Sequence, residues 1–515
     1  MRAMVLVLAT LLAGCAGGTP VAATPPQRVA SADEAADTGW RQALPVFQPD
    51  VLQRDVDVLE AAYGALHPGL HRYLDDAALG AEYARLRSGF QTPQRLDQVY
   101  LALSAFASTV RCGHTYANFF NQGDTVTRLL LQRPRVPLQF RWIDGEMVVI
   151  RDLGSGASLP PGTRVLALGG VASQRVLSEL LVYARADGHN EAKRVANMQR
   201  TGVGRYEAFD VFYPLLFPAA AGDTLDATVV LPGMSAPAQV QLRMQPYQAP
   251  PEQQAAAVDP ESSLQWRMQH PRPGVALLRM GSWSTYDVPK WDWRAYIERV
   301  FVDLVRDGAS DLVIDLRGNE GGSSVGEAIA AHLVARDIAS PMPTRSVRYR
   351  RVADELRPYL STWDKSFYDW GESATAAADG LYRLTRHDDE ATDMLIRPVS
   401  PRFKGRVWLL VGPDNSSATF EFASLVQAQG LGTLVGEPTG GNRRGINGGA
   451  FLFMTLPGTG IELDIPLIAQ FAAGPQPDAG LVPDLAAAES AASIAQGSDV
   501  ALEAVLARIT LPRGQ

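Results

Sequence analysis

Cysteine is almost missing from this chain: only Cys15 and Cys112 occur in 515 residues, so no disulfide framework holds the fold and stability has to come from packing. Histidine is scarce as well. The seven histidines are scattered, and neither an H-E-x-x-H run nor a paired C-x-x-C occurs, so the familiar zinc-ligand patterns are absent and no cofactor is expected. Nor is there a basic stripe. With a net charge of -8 and a pI near 5.5, the chain is not built to neutralise phosphates, which excludes nucleic acid as its main partner. No apolar run reaches the roughly 20 residues that a membrane-spanning helix needs. What is present, 46% hydrophobic and 20% charged residues, is the composition of a globular protein long enough for two or three domains.

The amino terminus, MRAMVLVLATLLAGC, has one arginine, a short apolar stretch and then Leu12-Ala13-Gly14-Cys15. It resembles a bacterial lipoprotein signal peptide spanning residues 1–15, whose lipobox cysteine receives lipid and becomes the first mature residue. Cys15 is therefore the expected lipidation site and the membrane partner is reached through that anchor. Ala16 behind it, rather than aspartate, favours the outer membrane, on the periplasmic side of the cell envelope. Residues 16–43, rich in Ala, Pro, Thr and Gly without apolar periodicity, read as a tether.

Beyond the tether the apolar spacing changes. Leu52, Val56, Leu59, Tyr63 and Leu66 recur at helical steps and stop before His67-Pro68-Gly69, and Leu96, Val99, Leu103, Phe106 and Val110 repeat the pattern, which predicts a helical cap over 44–124. Residues 125–250 alternate short strands (VPLQFRW, EMVVIRD, DATVVLP, AQVQLRM) with Pro and Gly breaks. Within them LPPGTRVLALGGVASQRVLSELL is similar to the strand, turn and helix of a PDZ domain, although residues 180–218 are more than such a domain needs and a generic β-rich module fits too. From 262 to 490 strands and helices alternate, and DLVIDL and RVWLLV are apolar almost throughout, as strands covered on both faces of a largely parallel sheet are. An insertion at 338–402, rich in Tyr, Trp and Arg, is long enough to fold as helices over the sheet end, as a substrate wall or as a solvated decoration. Residues 491–515 close the chain as a helix and tail.

Two loops follow those apolar strands, at the strand ends where open α/β sheets place ligands. DLRGNEGGSS (315–324) carries Gly321 and Gly322, where backbone N–H groups can approach a bound atom closely. Its spacing matches neither a P-loop nor a dinucleotide fingerprint. GPDNSSATFEFA (412–423) places two serines at a helix start. Asn415 and Ser416 suffice as caps. Ser417 then falls in the first turn, where free N–H groups and the helix dipole favour a developing negative charge, a setting suited to a nucleophile.

These segments together, DLVIDLRGNEGG, SSATFEFASLVQAQGLGTLVGEPTGG and the closing GLVPD at 480–484, resemble the serine peptidases that include the C-terminal processing (tail-specific) proteases, the tricorn core and the interphotoreceptor retinoid-binding repeats. The resemblance implies an α/β fold: a crotonase-like core sheet with helices, a PDZ-like β-rich module and an N-terminal helical cap. It implies a serine-type endopeptidase acting on a peptide or protein substrate. Its nucleophile falls on Ser417, and its oxyanion donors on the N–H of Ala418 and a glycine of Gly321-Gly322.

One departure stands out. Tail-specific proteases supply a lysine base from a GEPTFGKG-like run, whereas GEPTGGNRRG puts Asn442 at that position. An amide cannot take the proton, and Arg443 and Arg444 stay protonated. The tricorn-like branch uses a histidine in a Gly-His-Thr or Ser-His context, which Gly113-His114-Thr115 matches; His114 is thus the expected base, with an apparent pKa of roughly 6 to 7. For its acidic partner GIELDIPL offers Glu462 and Asp464 on one strand face, with Glu462 favoured. Cys112, two residues from His114, is read as core rather than as a rival nucleophile. The alternative to an enzyme is a catalytically inactive lipoprotein of the same fold that binds peptides or cell-wall material.

Overall fold

The computed structural model describes residues 39–202, 206–217, 223–248, 259–339, 344–377, 380–385, 395–472 and 474–509. Cys15 and the signal-peptide reading lie outside the described residues, as does most of the tether. Among the described residues no helix is long and apolar enough to cross a membrane. The architecture is mixed α/β, with three larger sheets and packed helices.

The sheet that positions the glycine and serine loops runs in the order Leu485–Ala486, Thr433–Gly436, Arg406–Val411, Asp311–Asp315, Val275–Met280, Trp266–Arg272. All neighbours are parallel except the last pair, which is antiparallel. Alternation across the pleat explains the unbroken apolar runs. Leu312, Ile314 and Leu409 join a core with Ile297, Phe301 and Phe422, while Val313, Trp408 and Leu410 face Ala501 and Val505 on the other side. The second group comes from the C-terminal helix Val500–Ile509. Strands Asp311–Asp315 and Arg406–Val411 are direct neighbours in parallel register, so the loops that follow them emerge side by side.

A second, antiparallel sheet is built on the long hairpin Gly445–Thr455 and Glu462–Phe471. Here the 338–402 expectation is corrected. The described part of that insertion forms no α-helix; short strands Arg345–Val347, Leu360–Ser361, Ala374–Ala376 and Tyr382–Leu384 extend this sheet instead. They are two or three residues long; Arg345–Val347 and Leu360–Ser361 pair with the hairpin and the other two extend the sheet from Arg345–Val347, an arrangement that local periodicity cannot reveal.

Helices Pro49–Leu66 and Leu96–Thr109 occupy the two periodic stretches, and a third, Asp76–Gly89, lies between them. The Asp55 carboxylate on the first accepts from the Gly458 N–H at 2.7 Å and from the N–H and hydroxyl of Thr459 at 2.9 and 2.7 Å. The cap is thereby tied to the turn of the long hairpin. The third sheet, Leu138–Ile143, Glu146–Asp152, Arg164–Leu168, Thr224–Val230 and Ala238–Arg243, is interrupted by helices Ser173–Leu180, Glu191–Asn197 and Ala208–Leu216. The loop that opens the second of these helices, and the helix itself, reach back to the site.

Candidate active site

The serine loop and the glycine loop are sewn together by buried amides. Asn415 accepts from the Gly412 N–H at 2.8 Å and donates to the carbonyls of Leu316 and Asn319 at 2.6 and 3.0 Å. Asn319 donates to Met280 O at 2.8 Å and accepts from the Gly321 N–H at 2.9 Å. Ser416 is the residue before helix Ser417–Ala428, but its hydroxyl does not cap. It donates to Glu320 O at 3.1 Å, a third stitch between the loops.

Ser417 differs from its neighbour in two ways. Its φ is +50°, a left-handed conformation that costs a non-glycine residue free energy and clusters at functional sites. Its hydroxyl, half-buried, makes no hydrogen bond to any described residue. Gly321 packs against it: a Cβ built on Gly321 would lie 2.9 Å from Ser417 Cβ and 3.0 Å from Ala418 N. Only glycine fits there, with φ +110°.

The oxyanion assignment narrows to one of the two glycines. Because the Gly321 N–H is engaged by Asn319, Gly322 is the remaining candidate of the pair for an oxyanion donor. Gly322 forms a parallel bridge with Trp283, in which Trp283 N–H donates to Gly321 O and Trp283 O accepts from Ser323 N–H; that pattern turns the N–H of Gly322 itself away from Trp283. Ala418 is the first residue behind Ser417 in the helix, where the N–H has no partner within the helix.

His114 is fixed by the backbone on both sides. The Gly113 N–H donates to Asp187 Oδ1 at 3.0 Å, Gly113 O accepts from Arg185, and Asp464 N–H donates to Tyr116 O at 3.1 Å. Thr115 Oγ1 pairs with His67 Nε2 at 2.8 Å, while His67 Nδ1 accepts from Gly69 N–H at 3.2 Å. Burial, reinforced by Arg72, drives the His67 pKa down to about 3, so this ring is neutral and holds Thr115 in place. The His114 ring is half-buried against Phe451, with centroids 5.6 Å apart, and against Gly448, where a Cβ would sit 3.6 Å from Cε1. Burial lowers its pKa below the usual histidine value, with Asp187 pulling the other way.

Among the described residues Glu462 makes no hydrogen bond to His114, and it is not among the charges that reach the ring. It contributes main-chain bonds to Gln122, with Gln122 Nε2 donating to Glu462 O and Glu462 N–H donating to Gln122 Oε1, and burial alone pushes its carboxyl to about 7. Asp464 is held by Asn118 at 2.7 Å and by Asn121 at 3.4 Å. His114 Nδ1 is buried with no hydrogen-bond partner. The acids whose charges reach the ring are Asp187 and, after it, Glu320.

Three residues from the 180–218 stretch thus belong to the site, none of them marked in the sequence by motif or spacing. Asp187 holds the histidine loop. Arg185 binds that loop at Gly113 O, lies 4.4 Å over the Tyr116 ring and approaches Glu320 Oε2 to 3.9 Å, linking the histidine loop to the glycine loop. Lys193, buried, donates to Glu320 Oε1 at 2.6 Å and to Asp414 O at 3.2 Å. Burial opposes ionisation of Glu320, yet Lys193 and Arg185 outweigh it and hold the carboxyl at about 2. Asn442, where a lysine base would stand, is a fastener. It donates to Asp187 O at 3.0 Å and to Asp478 Oδ1 at 2.7 Å, and accepts from Arg444 N–H at 2.9 Å. Cys112 is buried, its thiol pushed up by burial and contacted by Asn447 at 3.3 Å, and is not placed to act as a nucleophile. Among the described residues no cluster could hold a metal ion.

The structure therefore joins Ser417, Gly321, Gly322 and Ala418 in one constellation and connects the His114 loop to it through Arg185 and Glu320, while no hydrogen bond links His114 to Ser417. Gly321→Ala is expected to displace Ser417 and lower kcat/KM on the order of 10²-fold, as measured on a peptide substrate. Wild-type rates in that variant would contradict the close packing.

Residues 274–465 match the profile of peptidase family S41. No curated protein matches the chain. Among solved structures, mature CPAF complexed with lactacystin superposes with a TM-score of 0.58 at 13% identity, covering 90% of this chain and 97% of that one; at such identity the likeness shows the fold. The photosystem II D1 C-terminal processing protease matches at 15% identity, with a TM-score of 0.40 over 87% of this chain and 98% of its own.

Proposed function

We propose that this chain, which belongs to peptidase family S41 through residues 274–465, is a lipid-anchored extracytoplasmic serine endopeptidase of the tail-specific and tricorn-like type. The observation that carries the reading is Ser417 itself: a left-handed non-glycine residue at a helix start, its hydroxyl without a partner among the described residues, pressed against Gly321 beside the N–H of Ala418. Family membership supports protease function, and the inactive binding alternative is not favoured. In this reading the parallel sheet is the crotonase-like core and residues 125–250 are the PDZ-like module.

The chemistry follows from the residues. Ser417 Oγ attacks the scissile carbonyl carbon as His114, neutral at pH 7, takes its proton. The carbonyl oxygen becomes an oxyanion that receives the N–H groups of Gly322 and Ala418. The imidazolium, favoured by the charges of Asp187 and Glu320, returns the proton to the leaving amine as the C–N bond breaks. Water, deprotonated by His114, then attacks the acyl carbonyl, and as the acyl C–O bond breaks the imidazolium returns that proton to Ser417 Oγ. Catalytic hydrogen bonds commonly tighten only when substrate binds, so a missing Ser417–His114 bond does not rule out the pair.

Incubation of the mature protein with an unfolded protein such as reduced casein, in the presence of EDTA, is expected to yield new peptide termini by mass spectrometry. Intact casein after prolonged incubation would count against the reading. The anchor has its own test: the mature chain begins at lipid-modified Cys15, and Cys15→Ala abolishes acylation. An unmodified terminus beyond residue 16 would refute it.

A further inference from the structure

A cavity of about 290 Å³ lies between the cap, the histidine loop and the core. On the core side its lining includes Gly321 and Glu320, and on the histidine-loop side Thr115 and Tyr116, the residues directly after His114. It therefore opens beside the bond-breaking constellation. Its remaining walls are mainly apolar and aromatic, among them Phe119, Met198, Tyr206 and Phe212, all buried. Of the charged groups in its lining, Arg185 and Glu320 face each other and Lys193, Glu207 accepts from the N–H groups of Thr201 and Gly202, and Asp414 stands at the core edge.

One polar atom in this lining is unexplained. Ser104, on cap helix Leu96–Thr109 opposite the core wall, is only 4% exposed, and its hydroxyl has no hydrogen-bond partner. The adjacent Ser108 is satisfied, donating to Ala105 O at 2.8 Å and Val182 O at 2.7 Å. A buried hydroxyl left unpaired carries a desolvation cost. A ligand that brings a hydroxyl to this wall removes that cost.

We infer that this cavity is the subsite for the substrate side chain on the acyl side of the scissile bond, and that it takes tyrosine, the ring among the aromatic walls and the phenol on Ser104. The inference rests on Ser417 being the nucleophile of a peptidase and adds its substrate preference. The apolar walls favour a large ring over alanine. The Ser104 hydroxyl favours tyrosine over phenylalanine by the worth of one neutral hydrogen bond, about 5- to 10-fold.

Diphenyl phosphonate esters with tyrosine, phenylalanine or alanine side chains modify an active serine and report this preference without turnover. Tyrosine is expected to react about 10²-fold faster than alanine, and in Ser104→Ala the tyrosine-over-phenylalanine ratio is expected to fall to about 1. Equal rates for tyrosine and alanine would overturn the assignment. So would a Ser104→Ala loss shared equally by tyrosine and phenylalanine, which marks a structural role or a site satisfied by water. A plain fluorophosphonate, which has no side chain to seat, separates the levels. If it fails to label Ser417, the peptidase reading falls and the inference with it; if it labels while the alanine reagent matches tyrosine, only the subsite assignment falls.

Discussion

Ser417→Ala is expected to lower peptidase turnover by roughly 10³-fold or more while leaving the fold intact. The two halves of that statement have separate causes. The Ser417 hydroxyl holds nothing together among the described residues, so its removal leaves no stitch undone, and alanine meets the same left-handed backbone that serine already tolerates. What disappears is the attacking oxygen. The neighbour behaves in the opposite way: Ser416 donates to Glu320 O, so Ser416→Ala costs about 0.5 to 1.5 kcal/mol of stability and little rate. Paired denaturation curves and kcat/KM values for the two variants check this, and equal losses of activity would mean that the nucleophile is misassigned.

His114→Ala is expected to remove most activity together with the acid limb of the pH profile. The sign follows from which form works. Only neutral imidazole accepts the serine proton, so activity rises with pH as the ring deprotonates. Burial lowers the His114 pKa, and Asp187 recovers part of that shift without cancelling it. The limb therefore lies below the ordinary histidine value. A kcat/KM profile of the wild-type enzyme with a midpoint above 7, or near-normal activity in His114→Ala, would exclude His114 as the base.

Much of the fold is visible in local sequence because its causes are local. DLVIDL and RVWLLV read as doubly covered strands, and both faces of each are buried. Helix Asp76–Gly89 escapes notice because it buries only Leu79, Tyr83 and Leu86 along fourteen residues, too thin a stripe to stand out among alanines. The insertion misleads for another reason: two of its short strands, Arg345–Val347 and Leu360–Ser361, take their partners from a hairpin some hundred residues further on. The site divides the same way. Ser417, Ala418 and the glycines belong to contiguous motifs that family resemblance can carry. Asp187, Arg185 and Lys193 act through contacts between distant segments, and Glu462, chosen for its strand face, lies on a strand that meets the histidine loop through Asp464 N–H and Tyr116 O instead.

The central claim, that Ser417 is a nucleophile activated by His114, is met most directly by fluorophosphonate labelling of purified protein at pH 7, followed by peptide mass spectrometry of wild type, Ser417→Ala and His114→Ala. The account predicts a single adduct on Ser417, absent in Ser417→Ala and formed far more slowly in His114→Ala. No adduct in the wild-type protein, or an adduct on Ser416 or Cys112 that survives in Ser417→Ala, would contradict it.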